Sequence, residues 1–244
     1  MASTHAVVQT TLRVPGAWPH PRELLKRMPA GFRLTAEHLV LPDGTEIELD
    51  MIPPDEQFAQ IFKSSCRRPA TDEELATVRG YTVNIALSGP GGSLDAARTM
   101  MQAGAAIVRA GAAGVFIDNS ALAHGGSDWI AMADDGSSDA VSFAFVSIFS
   151  GASELSTLGM HVLGFPDLVM HRADGDADTI VEVIRYVAAG EKPIGDGHVL
   201  ADDRGALRFR VAAMSGEEFT AGSPMHNPFG RLRLTSFKEI AESN

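Results

Sequence analysis

The chain has 244 residues, 45% of them hydrophobic, and a formal net charge of −11. That length buries a substantial core as one domain or two small ones, and no apolar run approaches the roughly 20 residues that would cross a bilayer as a helix. The basic residues are scattered, with "CRRP" and "GRLRL" too short to form a patch, which speaks against nucleic acid and leaves a basic protein as the partner an acidic surface favours.

Residues 5–14 alternate as a strand, and no basic segment followed by an apolar block opens the chain, so no secretory signal is expected. Residues 15–21 read as a proline-rich turn and "RELLKRM" as a short helix. "HLVLPDGTEIELDMI" is a hairpin around Pro42-Asp43-Gly44. A helix is expected to open at Pro54, with Asp55 and Glu56 in its first turn. Cys66 is the single cysteine, which fits a cytoplasmic protein; Arg67 and Arg68 beside it are of the kind that lowers a thiol pKa. Thr71 and Glu74 have capping-box spacing ahead of another helix.

"YTVNIAL" is a strand that runs into "SGPGGS", and a helix follows from Leu94 to about Arg109. Its apolar face is Leu94, Ala97, Met101, Ala105 and Val108, while residues 103–106 are small enough to lie close to a sheet. "AGVFID" is a strand and "SDWIAMA" a short helix. "AVSFAFVSIF" is apolar on both faces and is expected to be a central strand, its Phe143, Phe145 and Phe149 in the core. "TLGMHVLGFPDLVMH" is hairpin-like, and a helix from Thr179, capped with Glu182 at box spacing, stops at Gly190. "LRFRVAAM" is the last clear strand; the tail is irregular, with Ser236 and Glu239 as caps of a final turn. Strands and helices intermix with hairpins, so the expected class is α+β with mixed or antiparallel sheets. The chain divides into an N-terminal half, 1–70, and a C-terminal half, 71–244, or forms one continuous domain. Two strand–loop–helix openings, at residues 6 and 81, hint at an internal duplication.

The glycine loop lacks the Lys and spacing of a phosphate loop, and Leu94 stands where a dinucleotide fingerprint has its third glycine. "PGGSLDA" resembles the turn whose amides form the oxyanion hole of Clp-type serine peptidases. The position matching their nucleophile is His124, so acyl transfer lacks its hydroxyl. A hydrolase built on the Gly89–Ser93 amides, His124 and Asp118 or Asp128 is the alternative reading; a turn capped by Ser93 is the simpler one. His161 and His171 are placed to meet across the hairpin, the basis of a second alternative, a metal or small-molecule sensor. "DGDAD" lacks the glycine and glutamate of a calcium loop. No catalytic residue, metal ligand or cofactor is assigned.

The stretch T-x-G-M-x-x-x-G-x-P-D-L resembles the signature of the bacterial domain-of-unknown-function family 4261, with Asp167 where Glu is usual. The resemblance spans roughly Thr4 to Met214 and includes the helix ending at Gly190 and the Asp196-Gly197 turn. Similar pieces occur in suppressor-of-fused-like domains. The resemblance implies a non-enzymatic protein-binding or immunity-like domain. The motif reads first as a structural hairpin, and the binding residues it would contribute are Thr157, Gly159, Met160, Gly164, Pro166 and Asp167, with His124 from the preceding segment.

Overall fold

The computed structural model describes residues 8–190, 193–201, 207–215, 219, 220, 223 and 225–237. The chain opens with β1 (Gln9–Gly16), α1 (Pro21–Arg27), the short β2 (Arg33–Leu34), β3 (His38–Val40) and β4 (Glu46–Ile52). Next come α2 (Phe58–Ser65), α3 (Asp72–Arg79), β5 (Val83–Pro90) and the long α4 (Leu94–Arg109). The middle is β6 (Gly114–Ile117), β7 (Leu122–Gly125), α5 (Gly126–Asp135), α6 (Ser138–Phe145) and β8 (Ser147–Ser150). The last part holds β9 (Glu154–Leu158), a 3-10 turn (Met160–Leu163), β10 (Asp167–His171), α7 (Ala177–Ala189), β11 (Val199–Ala201), β12 (Leu207–Ala213) and β13 (Arg231–Ser236).

The strands form two sheets, ordered β2-β3-β4-β5-β1-β6-β7 and β11-β12-β13-β10-β9-β8. Among the described strands every pairing is antiparallel except β10 with β13. The fold is α+β. The first sheet takes strands from both sides of residue 70, with β1 hydrogen-bonded between β5 and β6, so a boundary at 70 is not an architectural division.

Alternation along each strand sets the layers. Leu12, Val14, Ile47, Leu49, Ile85, Leu87, Val115 and Ile117 point to one side of the first sheet, where α4 and α5 cover it. The same core takes in Leu168, Met170, Leu232, Leu234, Phe209 and Val211 of the second sheet and Ile180, Val183, Ile184 and Val187 of α7. On the other side, α2 and α3 cover one end of the first sheet, where Phe58, Phe62, Val78 and Tyr81 meet Ala113, Phe116 and Ala123. The slim stretch of α4 serves a neighbouring helix as well as the sheet: a Cβ on Gly104 would stand 2.9 Å from the Trp129 Nε1 of α5 and 3.2 Å from Leu12.

The caps explain most helix boundaries. The Thr71–Glu74 box forms in both directions. Glu74 also accepts from the Ser127 N–H at 2.9 Å and its hydroxyl at 2.8 Å, tying α3 to the start of α5. Burial works against this carboxylate, but the bonds from Ser127 and Thr71 hold it below its ordinary range. Thr71→Ala is expected to cost about 1 kcal/mol and Glu74→Ala about 2 kcal/mol, because Glu74 serves two helices; thermal melts of the two variants give the comparison. Two other caps differ from expectation. α2 begins at Phe58, because Asp55 turns back to accept the Gln57 N–H at 2.7 Å and so ends a loop. Asp176, rather than Thr179, caps α7, accepting from the Thr179 N–H at 2.9 Å and hydroxyl at 2.8 Å.

The larger correction concerns residues 138–150. The expected central strand is helix α6 followed by the edge strand β8, and Phe149 is exposed. Ser137 caps the Ala140 N–H at 3.1 Å, directly after Gly136 closes α5 in a left-handed conformation. A helix that is apolar around most of its circumference is stable when surrounded, and α6 packs against α4, α5 and α7. β13 is also a strand that the sequence reading leaves unassigned, directly after the irregular "TAGSPMHNPFG". Leu232 and Leu234 face the core and Arg231 and Arg233 alternate with them, so "GRLRLTS" carries a period of two. The Ser236–Glu239 cap falls outside the described residues at Glu239.

Candidate functional site

Six of the seven residues assigned to the motif come together, and they build a joint rather than an open surface. Thr157 donates its hydroxyl to Asp167 Oδ1 at 3.0 Å and accepts the Leu168 N–H at 2.8 Å. The Met160 N–H also reaches Asp167 Oδ1, at 3.3 Å, and Asn227 Nδ2 donates to Oδ2 at 2.8 Å. Gly159 and Gly164 take positive φ, +100° and +86°, on either side of the 3-10 turn. Pro166 leads from that turn into β10. Asp167 is 2% exposed and Met160 is fully buried.

This turn docks on the glycine loop that follows β5. The Gly92 N–H donates to the Val162 carbonyl at 2.9 Å, and Gly164 lies so close to the Gly92 carbonyl oxygen that no Cβ fits between them. Gly159 lies equally close to the Phe145 carbonyl. Asn119, in the loop after β6, approaches His161 Nε2 through its side-chain nitrogen at 3.2 Å. The two most distinctive stretches of the sequence are therefore two halves of one fastening between the sheets.

That arrangement takes apart the hydrolase constellation. The Gly91 and Gly92 amides, the core of the expected oxyanion hole, already donate to the carbonyls of Val8 and Val162. Asp118 forms an ion pair with Arg13 at 2.7 Å, and Asp128 lies 3.6 Å from Arg68. His124 is fully buried in β7, its Nε2 bonded to the Ala144 carbonyl at 3.0 Å, with neither acid as partner. Among the described residues no hydrogen bond joins it to the Thr157–Asp167 network. The sensor pair separates as well. His161 sits in the turn before β10 and His171 at the far end of that strand, where its Nδ1 accepts the Ala173 N–H. Among the described residues no group of three or more His, Cys, Asp or Glu side chains converges as a metal site. Nor does Cys66 have a lowered pKa: burial pushes its thiol up, while Arg67 turns to the end of α6 and Arg68 to Asp128.

The buried acid and histidines give the fold a defined pH response. Burial pushes Asp167 up to about 6, against the opposing bonds from Asn227, Thr157 and Met160. Folded Asp167 thus holds a proton that the unfolded chain has released between about pH 4 and pH 6, so its contribution falls as pH rises through that window. Burial pulls His124 and His161 down to about 4. Their contribution has the opposite sign, being lost as pH falls from about 6.5 towards 4. The histidines outweigh the acid, so acidification destabilises the protein as a whole. In Asp167→Asn the opposing response of the acid is gone. Between pH 4 and pH 7 the variant's stability relative to the parent is expected to rise by on the order of 2–3 kcal/mol, read from denaturant unfolding at the two pH values.

One feature the sequence reading passes over is the outer face of β4. Glu46, Glu48 and Asp50 alternate with buried Ile47 and Leu49, so the three carboxylates stand in a row on the exposed face. Their register neighbours are Val40 beside Glu46, His38 and Ser88 flanking Glu48, and Ala86 beside Asp50. No Lys or Arg stands at those positions, and no ion pair to these carboxylates forms among the described residues. The alternation in "EIELD" carries this signal. Like charges on one face repel, and among the described residues no ion pair offsets them. No helix among the described residues is long and apolar enough to cross a membrane. Comparison with protein-family models, curated proteins and solved structures gives no match to this chain.

Proposed function

We propose that this chain is a non-enzymatic protein-binding domain of the bacterial cytoplasm whose partner presents a basic surface. The observation that carries the reading is the row of exposed Glu46, Glu48 and Asp50 on one face of β4, an interior strand of the first sheet. Carboxylates fixed in one plane by a seven-stranded sheet are preorganised, so a cationic partner meets them with little ordering cost. The dispersal of the hydrolase residues supports binding over catalysis, and the motif likeness to the family 4261 and suppressor-of-fused-like domains points the same way. Neutralisation of a basic toxin is one form such binding takes. The test is cross-linking in lysate of the source cells followed by mass spectrometry, with the parent and the triple variant Glu46→Lys, Glu48→Lys, Asp50→Lys. The parent is expected to link a basic protein through β3 and β4 in a salt-sensitive manner, and the folded triple variant to lose that link. An unchanged link in the triple variant contradicts the reading.

A further inference from the structure

A cleft of about 530 Å³ lies between the end of α2, the flank of α6 and the first turns of α7, a volume suited to a small molecule. Its apolar wall is formed by Leu122, Phe143, Val146, Ile148, Val181 and Ile184. The polar part of the lining is three serines, Cys66, Asp178, the Asp139–Arg185 pair and Arg67. Arg67 Nη1 donates to the Phe143 carbonyl at 2.6 Å and its Nη2 to the Val146 carbonyl, at the C-terminal end of α6. The guanidinium stacks over the Phe143 ring at 4.5 Å.

Those contacts occupy two of five N–H donors, and the helix end supplies only about half a negative charge. No carboxylate pairs with Arg67 among the described residues. The neighbouring cations differ: Arg185 lies 3.8 Å from Asp139, and Arg68 3.6 Å from Asp128. Burial, with repulsion from Arg68, pulls Arg67 down to about 10. A half-buried guanidinium with donors left over, which no carboxylate pairs with among the described residues and which lies beside an apolar wall, suits an anionic head on an apolar body.

We infer that this cleft binds a small apolar monocarboxylate, its carboxylate on Arg67 and its hydrocarbon along Val146, Ile148, Val181 and Ile184. One unmatched positive charge selects one negative charge. Exposed Asp139 and Asp178 line the same cleft and oppose a dianion such as phosphate, and the apolar wall favours a ligand with a hydrocarbon body. The site is independent of the β4 face, so either reading stands without the other.

Isothermal titration of the full chain with octanoate, octanol and octylamine tests the assignment. Octanoate is expected to bind at least about tenfold more tightly than either isostere. Arg67→Gln should remove that preference. Because Arg67 also holds the end of α6, Val181→Trp provides a second variant that fills the cleft and leaves the guanidinium in place; it is expected to weaken octanoate at least about tenfold. Equal binding of octanoate and octanol, unchanged octanoate binding in folded Val181→Trp, or no saturable octanoate binding at millimolar concentration overturns the inference.

Discussion

Gly159→Ala is expected to destabilise the protein by roughly 3 kcal/mol or more. Two costs add at this position. A φ of +100° puts an alanine in a left-handed conformation that L-residues disfavour, which alone costs about 1–2 kcal/mol. The new Cβ also runs into the Phe145 carbonyl oxygen and lies 2.9 Å from Ser120 Cβ. Both are in fully buried surroundings, the first being backbone at the end of α6, so relief requires moving the helix end or the 3-10 turn. Gly164→Ala meets the same pair of costs at φ +86° against the Gly92 carbonyl. Its effect should be specific to the fastening between the sheets. In hydrogen exchange, Gly92 N–H, which donates to Val162, should lose protection before the β1–β5 amides do. Urea unfolding of the two variants gives the magnitudes. Wild-type stability in either one would show that the turn is not the joint described above.

Trp129→Ala is the second large effect, expected to cost about 3–5 kcal/mol. Trp129 is the largest fully buried side chain in the protein. Its Nε1 donates to the Met101 carbonyl at 3.1 Å, and its ring meets Phe145 edge-on at 5.7 Å. Truncation leaves a cavity between α4, α5 and α6 and removes that aromatic contact. Gly104 faces the indole because nothing larger fits, so Gly104→Val is expected to destabilise from the other side by overpacking. The two changes probe one contact. If shape complementarity there governs stability, the double variant will be less destabilised than the sum of the two single changes; strict additivity would show that it does not. Thermal unfolding by near-ultraviolet circular dichroism reads both effects.

Local signals carried much of the fold. Pro42-Asp43-Gly44, the Thr71–Glu74 box, Ser93 and Gly190 each act within a few residues, and each marks its boundary correctly in the sequence. Where two periods fit one run, local reading fails. "AVSFAFV" satisfies strand alternation and a buried helix equally, and only its packing against α4 and α7 decides. "GRLRLTS" was obscured differently: its arginines alternate with leucines, and one of its two partners, β10, lies about 60 residues away. The candidate sites were legible as residues but not as relations. "GPGGS" and "TLGM…GFPDL" each stand out alone, yet nothing within either stretch indicates that the Gly92 N–H is used on Val162. An oxyanion hole and a docking turn call for the same glycines, and only the occupancy of the amide separates them. The β4 carboxylates lay in plain alternation inside a hairpin read only for its turn.

A basic partner on the β4 face is the central expectation. Native mass spectrometry of the tagged protein recovered from its source cells measures this. A stoichiometric complex with a basic protein, released by salt and absent from the folded variant with Lys at 46, 48 and 50, is the predicted result. Recovery of the chain without any partner, or of a partner retained by that variant, would contradict it.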